Sequence, residues 1–475
     1  MKYIAIVSLL VLAIAGSLVA QTAKPGGQAR EAALGGSQAG AGLVLNPFII
    51  DDPSMMFLNP AYQANYHDYG WSNIAGGNLA GSTGTNQDGY GLQNAGIAFS
   101  LNSDWNLGAI LSYDPSAANF VSASIGASSV IRRPAQNIPP IQNVMELVAS
   151  THTGMLTLGF GVMYGSSKSD LTANTVTPAV SSESDEASSH LWGFRAGMID
   201  DLGGGSSLDG SAVLRLDKAT DNEDGSPAAT FANGDYSASG TEFQLMLRGK
   251  FKASSKFNFV PYAEFLSLSA EPKEDTKPNA FANTVTTSDK FSATQYAVGV
   301  GGEYRNQGFY IAGGLSWLSA QAKLEHGDSQ TPANAFTQTY TYSALPVINL
   351  GAEWSFLDWL TGRIGYFRYN GNVNSKNEQT AGTVETNNTA GQFINLGGLG
   401  GFFLPGVTSN LTTGNLNGGT WDGVVTLGVG LKWGGWAMDA TVSDEALRRG
   451  LGLIGGGSDN INTFGYVTAS YNFSE

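Results

Sequence analysis

The side chains able to do chemistry are few and scattered. Four histidines occur, His67, His152, His190 and His326. None has another histidine or a carboxylate at a helical or strand spacing that would gather a metal ion. Cysteine is absent, which removes disulfides, lipoprotein anchoring and thiolate metal sites together. The carboxylates come in runs such as Glu183-Ser184-Asp185-Glu186 and Asp221-Asn222-Glu223-Asp224. Neither run has the glycine and distant glutamate of an EF-hand, so bridging cations at a rim are the most that they suggest. Asp200-Asp201 ends a strand pattern, an ordinary place for solvated acids. No enzyme activity, metal or cofactor is expected from these residues. A net charge of −15 argues against nucleic acid as a partner.

The elements that must position these side chains are strands. In Trp421 to Trp433, W-D-G-V-V-T-L-G-V-G-L-K-W, every second residue is apolar and a tryptophan stands at each end. Period two is strand alternation. At ~3.3 Å per residue the tryptophans lie roughly 40 Å apart, or about 28 Å along a membrane normal for a strand tilted by ~45°. That matches the apolar band and aromatic girdles of a transmembrane barrel. The same pattern recurs in Trp105–Tyr113, Trp192–Met198, Phe243–Leu247 and Phe309–Trp317.

Fifteen segments are candidate strands: 66–80, 90–101, 105–114, 153–164, 188–200, 206–217, 239–251, 256–268, 291–304, 308–320, 338–354, 358–371, 421–433, 435–443 and 462–473. A barrel with both termini on one side needs an even number, and fourteen is adopted. A missed strand around Phe120 to Val130 is the other way to even the count. Short links such as 101–104 and 433–436 suit tight turns. The polar inserts 165–187, 218–238, 269–290 and 372–420 read as external loops, and Phe402, Phe403 and Leu404 in the last as an apolar lip. Residues 138–150 carry Ile141, Val144, Met145 and Val148 at helical spacing behind prolines and read as a helix, either in an external loop, which is adopted, or as a second short plug helix.

Residues 1–20 read as an export signal, with Lys2, an apolar core from Ile4 to Ala15 and a small residue at Ala20. Residues 21–65 read as an N-terminal hatch or plug segment, and 66–475 as the barrel with long external loops. Within the hatch, 21–45 is rich in Ala, Gly and Gln and reads as loosely packed. Residues 46–61 are apolar but broken by three prolines, which excludes a wall strand. Asp52 or Ser54 is placed to cap one helical turn ending before Pro60.

Asp51-Asp52-Pro53-Ser54-Met55-Met56-Phe57-Leu58-Asn59-Pro60-Ala61 resembles the D-x-S-x-x-x-x-N-P-A signature of the FadL-like and PorV-like outer-membrane proteins. The resemblance implies an all-β fold, a transmembrane antiparallel β-barrel of about fourteen strands with the hatch inside its lumen. It implies that Asn59, Pro60 and Ala61 form the hatch turn or gate. It also implies transport of small hydrophobic compounds such as long-chain fatty acids or aromatic hydrocarbons across the outer membrane of a Gram-negative-type bacterium. Phe48, Ile49, Ile50, Met55, Met56, Phe57 and Leu58 are then the candidate apolar ligand surface. Arg195, Arg248, Arg363 and Lys432 are candidate receivers of a carboxylate head, unless lumen acids such as Glu353 and Asp422 already pair with them. Expected partners are outer-membrane lipid and lipopolysaccharide, the barrel assembly machinery, and a hydrophobic small molecule or a secreted protein. The alternatives are a PorV-like barrel acting in secretion or surface anchoring, and a structural or adhesive barrel.

Overall fold

The computed structural model describes residues 26–38, 44–75, 93–113, 139, 141, 143–175, 181–226, 233–277, 285–328, 335–379, 382–388, 424–442 and 464–473. The signal-like residues 1–20, the segment around Phe120 to Val130, Trp421, Asp422 and the Phe402–Leu404 lip lie outside them.

The first described elements are small: helix α1 (Gln28–Ala33), a pair of two-residue strands, β1 (Ser37–Gln38) and β2 (Val44–Leu45), and two 3-10 turns, Pro53–Phe57 and Pro60–Asn65. Seventeen strands then form one closed antiparallel sheet. They are β3 (Tyr69–Ala75), β4 (Gln93–Ser100), β5 (Trp105–Tyr113), β6 (Asn143–Thr153), β7 (Leu156–Thr175), β8 (Ser181–Gly203) and β9 (Ser206–Ser226). Next come β10 (Asn233–Lys252), β11 (Phe257–Lys277), β12 (Val285–Asn306), β13 (Phe309–Asp328), β14 (Phe336–Leu357) and β15 (Leu360–Gln379). The last four are β16 (Gly382–Asn388), β17 (Val424–Trp433), β18 (Trp436–Val442) and β19 (Phe464–Asn472). Strand β16 pairs with Val373–Gln379 of β15, whereas β17 pairs with Leu360–Phe367 of the same strand. Sixteen strands therefore close the wall, and β16 is a hairpin extension outside it. Pairing of β19 with β3 completes the ring.

The expected count of fourteen is thus corrected to sixteen. Each of the fifteen candidate segments contains a wall strand. The sixteenth is β6, inside the stretch 138–150 expected to be helical. Along β6, Val144, Glu146, Val148 and Ser150 are buried inside while Met145 and Leu147 are exposed outside. Val144 and Val148 fit both periods, and the unpaired edges of β5 and β7 decide for the strand by offering complete ladders.

The supposed loops 165–187, 218–238 and 269–290 are largely strand as well. Strands β7 to β15 run 20 to 23 residues, about twice the ~9–11 that cross a membrane. The acidic runs at 183 and 221 sit on β8 and β9, paired to each other, rather than in loops. Hydrophobic alternation stops where water bathes both faces, but the backbone ladder does not, so a period-two search ends a strand at the lipid boundary. Opposite this long end, two-residue turns such as Gly204-Gly205 and Gly434-Gly435 close the hairpins, with Gly204 at φ 65° and Gly434 at φ 58°.

The outer face carries the apolar band. Phe160, Val162, Phe194, Leu245, Leu247, Val298, Val300 and Leu315 are all about half exposed there. Trp192 and Tyr164 meet toward the long end with ring centroids 4.7 Å apart and planes tilted by 51°, while Trp354, Trp359 and Trp433 stand near the short turns. Among the described residues no helix is long and apolar enough to cross a membrane.

Candidate functional site

The interior is closed near the short turns by residues 26–38 and 44–66. Three fastenings hold this hatch to the wall, and each is built on a buried charge.

The first fixes α1. Asp52 caps the turn Pro53–Phe57 by accepting from Ser54 N at 2.8 Å. It also accepts from Gly27 N at 2.8 Å and pairs with Arg30 at 2.8 Å. Arg30 reaches on to Glu353 of β14 at 3.0 Å. Glu353 takes Arg363 of β15 at 2.6 Å, and Arg363 takes Asp439 of β18 at 2.6 Å. Asp439 accepts from Gly26 N at 2.9 Å, which closes the circuit. Beside it, Thr426 of β17 donates to Ala33 O at 3.1 Å, so this inward position meets the hatch rather than open lumen. Glu31 is fully buried, and burial together with the nearby Asp52 charge pushes its carboxyl well above the usual range.

The second fastening is the Asn59-Pro60-Ala61 turn. Asn59 caps the turn Pro60–Asn65 by accepting from Ala61 N at 2.9 Å. Its amide nitrogen donates to Asp209 of β9 at 2.6 Å and to the carbonyls of Met198 and Gly210 at 3.1 Å. Asp209 also receives Tyr62 Oη at 2.9 Å and Arg248 Nε at 3.0 Å. Arg248 donates in turn to Ile49 O at 3.0 Å. The turn fits because two wall positions lack side chains: a Cβ on Gly197 would overlap Asn59 Oδ1, and one on Gly159 the Pro60–Ala61 backbone.

The third fastening is carbonyl recognition. Arg195 of β8 pairs with Glu146 and donates to Met56 O at 3.1 Å and to Phe57 O. Glu303 of β12 accepts from Ile50 N at 3.1 Å and from Tyr310 Oη at 2.7 Å.

Of the seven apolar candidates, Phe48, Ile49, Ile50, Met55 and Met56 are buried against the wall or within the hatch. Phe48, for example, packs where Gly301 and Gly314 leave room. Phe57 and Leu58 stay partly exposed. Phe57 stands edge-on to Trp71 at 5.8 Å, and Leu58 packs against the inward cluster of Met246, Tyr262, Ala297 and Leu318. Elsewhere in the described hatch Asp51 and Asn65 are exposed and Ala64 is partly exposed. Of the four candidate cations, Arg195, Arg248 and Arg363 are already committed to acids and hatch carbonyls, while Lys432 lies at the short-turn end of β17. The histidines do not converge: His326 pairs with Asp289 at 2.7 Å, and His67 with Asp68 at 3.0 Å.

Arg30 and Glu31 were missed because residues 21–45 look compositionally loose. The structure corrects this: Gly26 to Leu34 are buried, with Ala29 and Ala33 at 0% exposure. Small residues there permit close approach to the wall rather than flexibility. An Arg-Glu pair inside an Ala/Gly stretch whose one other charge is Lys24 was the available signal.

No family model and no curated protein matches the sequence. Among solved structures the chain is similar to the Pseudomonas putida toluene transporter TodX, at 10% identity over 96% of this chain and 100% of that one, with a TM-score of 0.36. It is similar to a Pseudomonas aeruginosa FadL homologue at 13% identity, covering 97% and 100%, with a TM-score of 0.35. It is also similar to the ferric yersiniabactin uptake receptor FyuA of Yersinia pestis at 10% identity, covering 86% and 79%, with a TM-score of 0.33.

Proposed function

We propose that this chain is an outer-membrane channel of a Gram-negative-type bacterium that admits small hydrophobic compounds. The observation that carries the proposal is the apolar inner lining above a fastened hatch. A water-filled pore presents a polar interior. Here Met246, Tyr262, Leu266, Leu268, Phe291 and Leu324 form apolar stretches on the inward faces of β10 to β13, interspersed with Glu242, Gln244, Glu264 and Gln295 and leading down to Leu58 and Phe57. A compound captured at the long-strand end passes along this lining to the hatch, and leaves when the hatch shifts.

The lining gives the test. Phe57→Ala removes apolar contact worth roughly 1.5–3 kcal/mol if fully buried by the ligand. Binding of a neutral aromatic hydrocarbon to the purified protein should weaken at least tenfold, while barrel folding stays unchanged because Phe57 belongs to no strand. Unchanged binding would remove Phe57 from the route. A PorV-like secretion or anchoring role predicts no saturable hydrocarbon binding in either protein.

The topology carries its own expectation. Residues 382–388 extend beyond β15 at the end opposite the short turns, so a tag inserted after Asn388 should be reachable by antibody on intact cells. Accessibility only after permeabilisation of the outer membrane would invert the sidedness.

A further inference from the structure

We infer that the lumen above the hatch favours amphiphiles whose polar end is a protonated amine, and disfavours carboxylates; this rests on the channel reading above. The inference starts from a charge imbalance. Arg215 and Asp217 share the inward face of β9, and Glu242 faces Arg215 from β10. Arg215 is ion-paired with Glu242 through one carboxylate oxygen. The other oxygen, Glu242 Oε2, and Asp217 Oδ1 have no hydrogen-bond partner. Both residues are more than nine-tenths buried, Asp217 at 6% exposure and Glu242 at 3%. Among the described residues no ion pair reaches Asp217, so two inward acids stand beside a single guanidinium that is paired to one of them. Burial without a cation favours the neutral form of such a carboxyl, and an ammonium arriving with a ligand supplies the charge that lets it ionise and accept a charge-assisted hydrogen bond.

The surroundings fit the rest of an amphiphile. The register continues from Glu242 to Leu268 and Ala293, and from Gly240, beside Asp217, to Ala270, Phe291 and Leu324. These inward side chains are apolar and packed together, a layer that a hydrocarbon chain would enter by parting it. One row toward the hatch, Gln295 is 2% exposed and its Nε2 also lacks a partner, a second polar group aimed at the same interior. Cations that would receive a carboxylate are engaged elsewhere: Arg30, Arg195, Arg248 and Arg363 each hold at least one acid near the hatch. Glu264, the next inward acid on β11, is already satisfied by Gln244 and Tyr262.

The experiment compares three ten-carbon probes, decylamine, decanoate and decanol, binding to the purified full-length protein in maltoside micelles at neutral pH. Wild type should bind decylamine at least about tenfold more tightly than decanoate, the size expected of one charge-assisted hydrogen bond. Asp217→Asn should weaken decylamine by about the same factor and leave decanol unchanged, so decanol reports an intact lumen. Glu242→Gln, which leaves Arg215 without its partner, should shift preference toward decanoate. Decanoate binding as tightly as decylamine in wild type, or decylamine unaffected by Asp217→Asn, would overturn the inference. If decanol binds in those cases, the channel reading survives it. If none of the three binds wild type, both fall.

Discussion

Arg248→Met should unfasten the hatch while leaving the barrel closed. Arg248 is 1% exposed and serves three hatch-side functions: it neutralises Asp209, holds Ile49 O and stands 5.9 Å from the Tyr62 ring. Methionine replaces the aliphatic stem but leaves Asp209 as a buried charge with only Asn59 and Tyr62 as donors. Breaking a buried ion pair by removing one partner costs about 3–5 kcal/mol. That cost falls on hatch docking, because the wall has its own continuous ladder through β9, β10 and β11. The readout is trypsin cleavage after Arg30, a bond enclosed with α1 in wild type. The variant should be cut there within minutes under conditions where wild type persists for hours. Adding Asp209→Leu should recover part of the protection, since removing both charges is milder than removing one. Protection equal to wild type in Arg248→Met would mean that this cluster does not hold the hatch.

A second large effect separates the two faces of one strand. Leu245 and Gln244 are neighbours on β10. Leu245 is 42% exposed in the apolar band, and Gln244 points inward and donates to Glu264 at 2.9 Å. Leu245→Arg places a cation against lipid and should destabilise the barrel in bilayers by ~2–4 kcal/mol. Gln244→Arg places the same side chain beside an acid, where it finds a partner, and should fold at close to the wild-type yield. Folding yields in lipid vesicles, scored by gel mobility without heating, measure the difference. Equal yields would contradict the assignment of faces.

Much of the wall was legible because lipid on one side and a packed or polar interior on the other impose period two on residues such as Trp105 to Tyr113. Strand β6 escaped because Ile141, Val144, Met145 and Val148 also satisfy a helical period, and only the neighbouring edges break the tie. The extensions above the lipid boundary escaped because no solvent contrast marks their faces. In the hatch, Asp52 and Asn59 were readable as caps from local spacing. What fastens them was not, since Arg30 meets Glu353 and Asn59 meets Asp209 across more than a hundred residues of chain. Local composition even pointed the wrong way for α1, where alanines that look flexible are packed without a gap.

The claim that the hatch-closed barrel passes hydrophobic compounds is tested most directly by parallel flux into liposomes carrying only this protein. One tracer is a neutral aromatic hydrocarbon trapped inside by an enclosed acceptor, and the other is a pentose. The hydrocarbon should enter at a rate that rises with protein copies per liposome and falls with Phe57→Ala, while the pentose stays at the protein-free rate. Pentose entry without any protein-dependent hydrocarbon entry would contradict the account, for it would show an open aqueous pore where the hatch is drawn closed.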